Sequence, residues 1–373
     1  MEIRDISWTV VPVIDNDAII LEAFSQLEKA DGESLPANNH WFYIEPLLNS
    51  FYKEHDCFIA IAKSNDSIVA ILPLVISQQT KFGYRWSEFG LPFHKHMNLV
   101  ALNKIPQDQM HNAFTRLEQE IESLNLSWDR FAIRNLFVAQ DIPISNSSNF
   151  EYSDESAWFD TSNVIELSEI ISKKHIKNLN RLNKRLLNHD ESCSLSEFYK
   201  PTDIIDQLTQ FSQLEEMSWK GQEGVAINSS PKIASFYSDL MTSASLNQQA
   251  RIFHYASDNH IYASALGFQL GDCLYIHKIC FDASYMEMSP GGLLIFEIIK
   301  RAALDEKINK VSLVTYPEWA KRWHPQHAST LNYVSYNSSI TGRLLQFVIT
   351  SWRNNKPIIK RLLSKFQQLA PNS

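Results

Sequence analysis

Apolar positions recur at two different spacings in the first 150 residues of the chain. Helical periodicity runs through residues 16–30, 41–54 and 106–125. Short apolar runs bounded by turn residues, which are typical of strands, lie at residues 57–63, 67–77, 84–90, 96–102 and 129–135. Asn65-Asp66 separates the first two runs and is a hairpin signal. The pattern therefore predicts a sheet with flanking helices.

The remaining residues repeat this alternation after a polar stretch. Residues 139–163 are rich in Ser, Asn and Asp, and we expect them to form a crossover between two domains. Helices are then predicted at residues 168–190, 203–219, 231–245 and 290–304. Strands are predicted at residues 251–257, 261–270, 274–281, 309–314 and 331–336. The resulting domain prediction is residues 1–150 and 151–373.

The two halves contain a weak internal repeat. Residues 64–70 (SNDSIVA) align with residues 257–263 (SDNHIYA). Each copy begins as a hairpin and is followed by further strands, a helix and a strand, in the same order. This order predicts a duplicated α/β unit with a mostly antiparallel sheet.

One motif stands out at the start of the helix predicted at residues 290–304. It reads Ser289-Pro290-Gly291-Gly292 and follows the strand at residues 274–281. Ser is a preferred N-cap and Pro a preferred first helical residue, while two glycines leave the backbone N–H groups uncovered. Such a helix start suits a phosphate or pyrophosphate, but it is also an ordinary capping motif. The equivalent helix of the first half begins without glycine.

Composition narrows the class of protein. The 373 residues are 44% hydrophobic and 20% charged, as in globular proteins with a full core, and the net charge of −8 argues against a nucleic-acid binder. Four scattered cysteines, without a Cys-x-x-Cys pair or a histidine cluster, predict reduced thiols and no metal. The N-terminus has no signal-peptide pattern, and no apolar run reaches the ~20 residues of a membrane span. We expect a cytoplasmic protein.

The ordered set of motifs from residue 168 to residue 323 resembles the GNAT-like acetyltransferases of the cellulose-biosynthesis group, which are related to the Fem-type ligases of peptidoglycan bridges. The landmarks are a basic helix at Lys173–Arg185, Glu216 with Trp219 and Gly224, the hairpin at residues 261–270, Phe281-Asp282, Ser289-Pro290-Gly291-Gly292, and Lys321 with Trp323. This resemblance implies an α/β fold of tandem GNAT-like units. It also implies an acyltransferase that uses acyl-CoA, with the cofactor in the second unit.

The resemblance also implies where acyl-CoA would bind. The pyrophosphate would lie on the N–H groups of Gly291, Gly292 and Leu293, next to Ser289. The pantetheine arm would pair with the edge of the strand that contains Ile279, Cys280 and Phe281. Trp219, Lys321 and Trp323 are the expected contacts to the acceptor.

Transfer to an amine needs a general base and an acid for the departing thiolate. His277 and Glu216 are the candidate bases, although His277 could equally be packed inside the sheet and Glu216 could be a surface carboxylate. Asp282 could orient the acceptor. Tyr316 could protonate the thiolate or simply pack beside the neighbouring tryptophans. Cys273 and Cys280 are acyl-relay candidates or buried structural thiols.

Two basic segments have alternative interpretations. The helix around Lys173–Arg185 contains six cations and no acid, which fits either an anion site or a solvated face. Residues 342–373 are basic and amphipathic, which fits either an anionic inner-membrane surface or packing on the domain.

The sequence hypothesis is thus an acyl-CoA-dependent N-acyltransferase acting on an amino group of a sugar or another cell-envelope precursor. Two alternatives stay open: a transferase whose donor is aminoacyl-tRNA, and a non-catalytic scaffold of a polysaccharide-synthesis complex.

Overall fold

The computed structural model describes residues 6–31, 35–81, 83–92, 100–101, 105, 107–137, 149–352 and 355. The strands are β1 (Ser7–Pro12), β2 (Cys57–Ser64), β3 (Ser67–Lys81), β4 (Tyr84–Gly90), β5 (Val100–Ala101), β6 (Arg130–Phe137), β7 (Phe150–Asp160), β8 (Ser194–Phe198), β9 (Ala250–Ala256), β10 (Ile261–Leu270), β11 (Cys273–Phe281), β12 (Lys310–Ser312) and β13 (Gln326–Tyr336). The helices are α1 (Asp17–Asp31), α2 (Trp41–Phe51), α3 (Gln107–Ser123), α4 (Lys173–His189), α5 (Pro201–Met217), α6 (Trp219–Gln222), α7 (Pro231–Leu246), α8 (Pro290–Leu304), α9 (Glu318–Lys321) and α10 (residues 340–352).

The described strands form one mixed, mostly antiparallel sheet, which confirms the predicted fold class. The strand order is β1-β2-β3-β4-β6-β13-β7-β12-β11-β10-β9-β8, and β5 pairs with β6 outside this path. Parallel pairing occurs where β6 joins β4 and β5, and where β12 joins β11. Both larger parallel contacts follow a helical crossover, through α3 in the first half and α8 in the second. The two halves therefore repeat one strand-helix-strand arrangement.

The strand β13 joins the two halves of the sheet. β7 follows β6 in the chain but pairs with β12, whereas β13 follows β12 but pairs with β6. β7 and β13 also pair with each other over most of their length. The sheet is consequently continuous across residue 150, and the division into two domains stays a prediction.

Several strands differ from the sequence prediction. The crossover expected at residues 139–163 contains β7, and only part of this strand is buried, which explains its polar sequence. The edge strands β1 and β8 were not predicted either. The strand expected at residues 96–102 falls mostly on residues outside the described part of the chain.

Helices cover both faces of the sheet in each half. In the second half, α4 and α8 pack on one face around Leu179, Leu293 and Ile299. α5 and α7 cover the opposite face around Phe211, Phe236 and Leu240. This second core also receives Tyr43 and Leu47 from α2, an N-terminal helix. No helix in the described part of the chain is long and apolar enough to cross a membrane.

Candidate functional site

Two features of β11 create a cleft in the second half. Along its β12 side, the strand pairs only through Cys273–Tyr275, because β12 ends at Ser312. In the described part of the chain, residues 276–281 have no strand partner on that side, although they still pair with β10. The two parallel strands therefore separate, and the edge of β11 is open toward solvent.

A β-bulge at His277 changes the direction of the side chains along β11. In the register with β10, Leu266 pairs with Lys278 and Gly267 pairs with Ile276, so that His277 is the extra residue. Before the bulge, Leu274 and Ile276 pack with α4 and α8, whereas Cys280 after it packs with α5 and α7. The bulge thus brings His277 and Lys278 to the same side as Tyr237 of α7.

The cleft extends from these residues to the beginning of α8 and has a volume of about 690 Å³. The residues that line it are Trp219, Lys220, Ile276, His277, Lys278, Ile279, Phe281, Met286, Ser289, Pro290, Gly291, Gly292, Leu313, Thr315, Pro317, Trp319, Arg322 and Trp323. Three of these described residues are Lys or Arg, and none is Asp or Glu. The lining is therefore electropositive and suits an anionic ligand.

The beginning of α8 is built by a left-handed residue. Ser289 has a φ of 52°, and its side chain makes no capping hydrogen bond to any described residue. Ser289 is the N-cap residue, as predicted, but it caps the helix without its side chain. A Cβ on Gly292 would lie 2.6 Å from Ser289 Oγ. A Cβ on Gly291 would lie 3.2 Å from the ring of Phe281. Both glycines thus keep the helix start open, and Pro290 has no N–H to satisfy.

His277 lies on the cleft wall next to a buried phenol. Its Nε2 atom is 3.2 Å from the hydroxyl of Tyr237, and its ring is edge-on to Tyr43. Burial, together with the charges of Lys278 and Lys220, lowers the pKa of His277 to about 3. His277 is therefore neutral at physiological pH, and the same shift makes its imidazole a weaker proton acceptor than an ordinary histidine.

A buried carboxylate that the sequence analysis missed lies directly behind the cleft. Glu215 is fully buried, and its Oε1 atom is 3.1 Å from Lys220 Nζ and 3.0 Å from Lys278 Nζ. Its Oε2 atom accepts the N–H of Ile227 at 2.8 Å. Burial lowers the pKa of Lys278, while the neighbouring Glu215 carboxylate opposes that shift.

Lys220 links this cluster to the open edge of β11. Its Nζ atom donates to the backbone carbonyl of Ile279 at 2.8 Å and also contacts Glu215. The single carboxylate of Glu215 therefore balances the charge of only one of the two ammonium groups. The other ammonium group adds positive charge to the cleft wall. Helical spacing could have identified Glu215, because it continues the stripe of Ile204, Leu208 and Phe211 at steps of four, three and four residues.

The predicted site residues are only partly brought together. Those that line the cleft are His277, Ile279, Phe281, Ser289, Gly291, Gly292, Trp219 and Trp323. Cys280 and Leu293 are buried behind it. Burial raises the pKa of the Cys280 thiol, which favours the interpretation as a structural thiol. Burial likewise raises the pKa of Cys273 to about 11.

Besides Cys280 and Leu293, four more predicted residues do not line the cleft. Glu216 is exposed and accepts a hydrogen bond from Asn228 at 3.3 Å. Asp282 caps a short 3₁₀ turn and lies 3.0 Å from His260. Tyr316 is stacked on the ring of His327, and Lys321 is paired with Glu318. Their roles stay predictions, but the geometry of the described residues favours His277 over Glu216 as the proton acceptor.

The loop that follows β12 forms the other wall of the cleft. Val314 in this loop has a φ of 63°, which is unusual for a β-branched residue. Its neighbours Leu313 and Thr315 both line the cleft. The conformation is therefore held by the surrounding structure at the position where the two strands separate.

The basic face of α4 is next to the cleft and open to solvent. All six of its cations are exposed, namely Lys173, Lys174, Lys177, Arg181, Lys184 and Arg185. Leu179 on the opposite face packs toward Gly292. Glu287 lies 3.5 Å from Arg185 and is not among the residues that line the cleft. No group of three or more described His, Cys, Asp or Glu residues could hold a metal ion.

Comparison with protein families identifies the part of the chain that carries this cleft. Residues 173–322 match the family described as acetyltransferase (GNAT) domain. This region includes α4, the bulged strand, the glycine-rich helix start and the cluster around Glu215. The second half therefore contains a GNAT acetyltransferase domain, and the enzyme class is acyltransferase.

Comparison with solved structures shows the same fold over nearly the whole chain. The structure of FemX is 10% identical, with a TM-score of 0.56, and the match covers 87% of this chain and 98% of that chain. A tandem GNAT protein from the clavulanic acid biosynthesis pathway is 11% identical, with a TM-score of 0.44 over 90% of this chain and 100% of the other.

The N-myristoyltransferase of Saccharomyces cerevisiae with bound myristoyl-CoA is also similar. It is 11% identical, with a TM-score of 0.36 over 89% of this chain and 84% of the other. A search of curated protein sequences found no match. The likeness to FemX shows the fold alone, and the membership of the cellulose-biosynthesis group stays a prediction.

Proposed function

We propose that this protein is an acyl-CoA-dependent N-acyltransferase that acts on an amino group of a sugar or another cell-envelope precursor. The observation that carries the proposal is the cleft between β11 and β12. It combines an open strand edge, an uncovered helix start and an acid-free lining in one GNAT domain. These features suit different parts of acyl-CoA, which is an elongated and anionic thioester.

The helix start suits the pyrophosphate of the donor. The N–H groups of Gly291 and Gly292 belong to the first turn of α8, where the helix dipole favours negative charge. The N–H of Leu293, which the sequence analysis included, already donates to the carbonyl of Ser289 at 2.9 Å. Arg322, another lining residue, adds positive charge to this cleft. The edge of β11 offers backbone groups to the amides of the pantetheine arm, as in the addition of a strand to a sheet.

The bulge residue suits the chemistry of transfer. The amine nitrogen attacks the thioester carbonyl, the carbon–sulfur bond breaks, and the amine loses a proton while the thiolate of CoA gains one. Neutral His277 is the group that we propose to accept the amine proton, directly or through one water. Trp219 and Trp319 line the same cleft and offer aromatic faces to a sugar or other acceptor.

The first experiment is calorimetric titration with acetyl-CoA, a longer acyl-CoA and free CoA. Micromolar binding is expected for at least one of them. Gly291→Glu should weaken this binding by at least tenfold, because it adds a carboxylate where the pyrophosphate would lie. Gly291→Gln has the same size without the charge, so it serves as the matched control and should bind more tightly than Gly291→Glu.

Two results would contradict the proposal. Wild-type protein that binds none of the three ligands would exclude acyl-CoA as the donor. Equal loss of binding in the Gln and Glu variants would attribute the effect to size rather than to charge, and the pyrophosphate would then lie elsewhere.

The exposed cations of α4 suggest aminoacyl-tRNA as an alternative donor. All six cations are exposed, none of them lines the cleft, and Arg185 lies 3.5 Å from Glu287. A basic helix surface of this kind suits a polyanionic donor such as aminoacyl-tRNA. Activity that is sensitive to ribonuclease and independent of CoA would favour this alternative. Partner capture from cell extract together with no affinity for either donor would instead favour a scaffold of a polysaccharide-synthesis complex.

A further inference from the structure

Among the described residues, helix α10 carries an apolar stripe that is exposed to solvent. Ile340, Leu344 and Phe347 are 87%, 50% and 70% exposed and follow one another at steps of four and three residues. This spacing places them on one face of the helix. Leu345, on a different face, is 1% exposed and anchors α10 on the protein. The stripe is therefore not the face by which the helix packs.

The chain around this helix has an unusual distribution of charge. The protein has 42 acidic and 34 basic residues, yet every acidic residue lies at or before Glu318. The later residues contain eight Lys and Arg and no acid, so the segment that contains the stripe is cationic in an otherwise acidic protein. Arg343, within α10 itself, is exposed beside Leu344.

We propose that α10 docks this protein on an anionic lipid surface, with Ile340, Leu344 and Phe347 inserted between the headgroups. Apolar side chains on one face with cations beside them are the arrangement by which helices lie in a membrane interface. Each basic residue near an anionic surface strengthens binding on the order of fivefold at low salt. Since the acidic residues all lie at or before Glu318, the segment that carries the stripe has a charge complementary to such a surface.

This proposal does not depend on the donor or the acceptor of the reaction. The residues of the stripe are not among those that line the cleft. Binding of lipid and binding of acyl-CoA can therefore be measured separately in the same protein.

The test is co-sedimentation of the full-length protein with vesicles. One set contains phosphatidylcholine alone, and the other contains phosphatidylcholine with 30% phosphatidylglycerol, each at low and at high salt. We expect at least tenfold stronger partitioning to the anionic vesicles at low salt, and a marked loss of binding at high salt. The triple variant Ile340→Gln, Leu344→Gln, Phe347→Gln should lose at least tenfold on the anionic vesicles while keeping its thermal stability.

A matched control separates this stripe from exposed apolar surface in general. Ile165, Leu246 and Leu304 are 92%, 71% and 86% exposed but lie on different elements. Changing these three residues to Gln removes similar apolar area and should leave vesicle binding unchanged. Equal loss of binding in both triple variants would overturn the proposal, as would binding that is the same on neutral and anionic vesicles.

The same variants also test two other ways in which the stripe could be covered: by a second copy of the protein or by the C-terminal residues of the chain. If the wild type is a dimer in solution and the triple variant a monomer, the stripe is an interface between two copies and the proposal is wrong. If removal of residues 356–373 increases vesicle binding, those residues cover the stripe in the intact chain, and the proposal is again wrong. A monomer whose vesicle binding falls after this removal supports it.

Discussion

At the scale of single residues, the cluster of Glu215, Lys220 and Lys278 sets the charge behind the cleft. Lys278 is 7% exposed at its side chain and Glu215 is 0% exposed, so neither charge is solvated. Removing the carboxylate would leave two ammonium groups without a counter-charge. Removing Lys278 instead would leave Glu215 paired with Lys220, which is a balanced pair.

The two substitutions should therefore differ in cost. Glu215→Gln is expected to lower the free energy of unfolding by about 3–5 kcal/mol, since it leaves buried positive charge unpaired. Lys278→Met keeps the length of the side chain and the balanced pair, and should cost clearly less. Urea unfolding of both variants and the wild type measures this difference. A larger loss for Lys278→Met would show that Glu215 is not the counter-charge of both lysines.

Three residues that the sequence analysis singled out by their position in a strand or loop lie together in the structure, and their functional roles stay predictions. These are Gly291, Gly292 and the histidine of β11, and all three line the cleft. Glu215 was not distinguished from Glu216, because these neighbours differ only in the side of α5 on which they lie. The family motif alone does not contain this information, but the spacing of Ile204, Leu208 and Phe211 along α5 does, since Glu215 continues that buried stripe.

At the scale of elements, the bulge in β11 depends on a close approach of its neighbour β10. A Cβ on Gly267 would lie only 2.1 Å from the backbone carbonyl oxygen of Tyr275. A clash with a backbone atom cannot be relieved by a change of rotamer, as a clash with a flexible side chain can. Any residue larger than glycine should therefore force the two strands apart next to His277.

We expect Gly267→Ala to lower the free energy of unfolding by about 1–3 kcal/mol, as for other overpacked positions. It should also weaken acyl-CoA binding, because the bulge positions the wall of the cleft. Gly83→Asn is the matched control: Gly83 has a φ of 75° with nothing within 4 Å of an added Cβ, and Asn tolerates this conformation. Thermal unfolding and calorimetry report the two effects. Unchanged stability of Gly267→Ala would mean that the strands separate without cost.

The missed strand β7 shows why elements can escape sequence analysis. Its residues alternate poorly because several are half-exposed, and Ala157 and Phe159 supply most of its buried apolar area. Its place in the sheet comes from hydrogen bonds to β12 and β13, which are more than 140 residues away in the chain. Strands with strong local patterns, such as β3 and β10, needed no such long-range information.

At the scale of the whole molecule, each half completes the other. Leu331 and Tyr333 of β13 belong to the apolar core of the first half, and Tyr43 of α2 belongs to that of the second. The two halves therefore share core residues as well as the pairing of β6 with β13. Neither half has its full set of partners without the other.

Expression of the halves as fragments tests this dependence. Residues 1–150 alone should aggregate or lack a cooperative unfolding transition, because the edge of β6 and the core around Phe131 would be exposed. Co-expression with residues 151–373 should give a soluble complex of the two fragments. A folded, monomeric fragment 1–150 would show that β13 is dispensable to the first half.

The position of β13 has a consequence for synthesis of the chain. During translation, about 190 residues are added between the synthesis of β6 and that of β13. A ribosome adds roughly 5–20 residues per second. During this interval, on the order of ten seconds or more, the growing polypeptide holds an unfinished sheet whose central partner has not yet been translated. We therefore expect chaperones to bind that exposed edge during synthesis, and truncated products that lack β13 to be degraded rapidly.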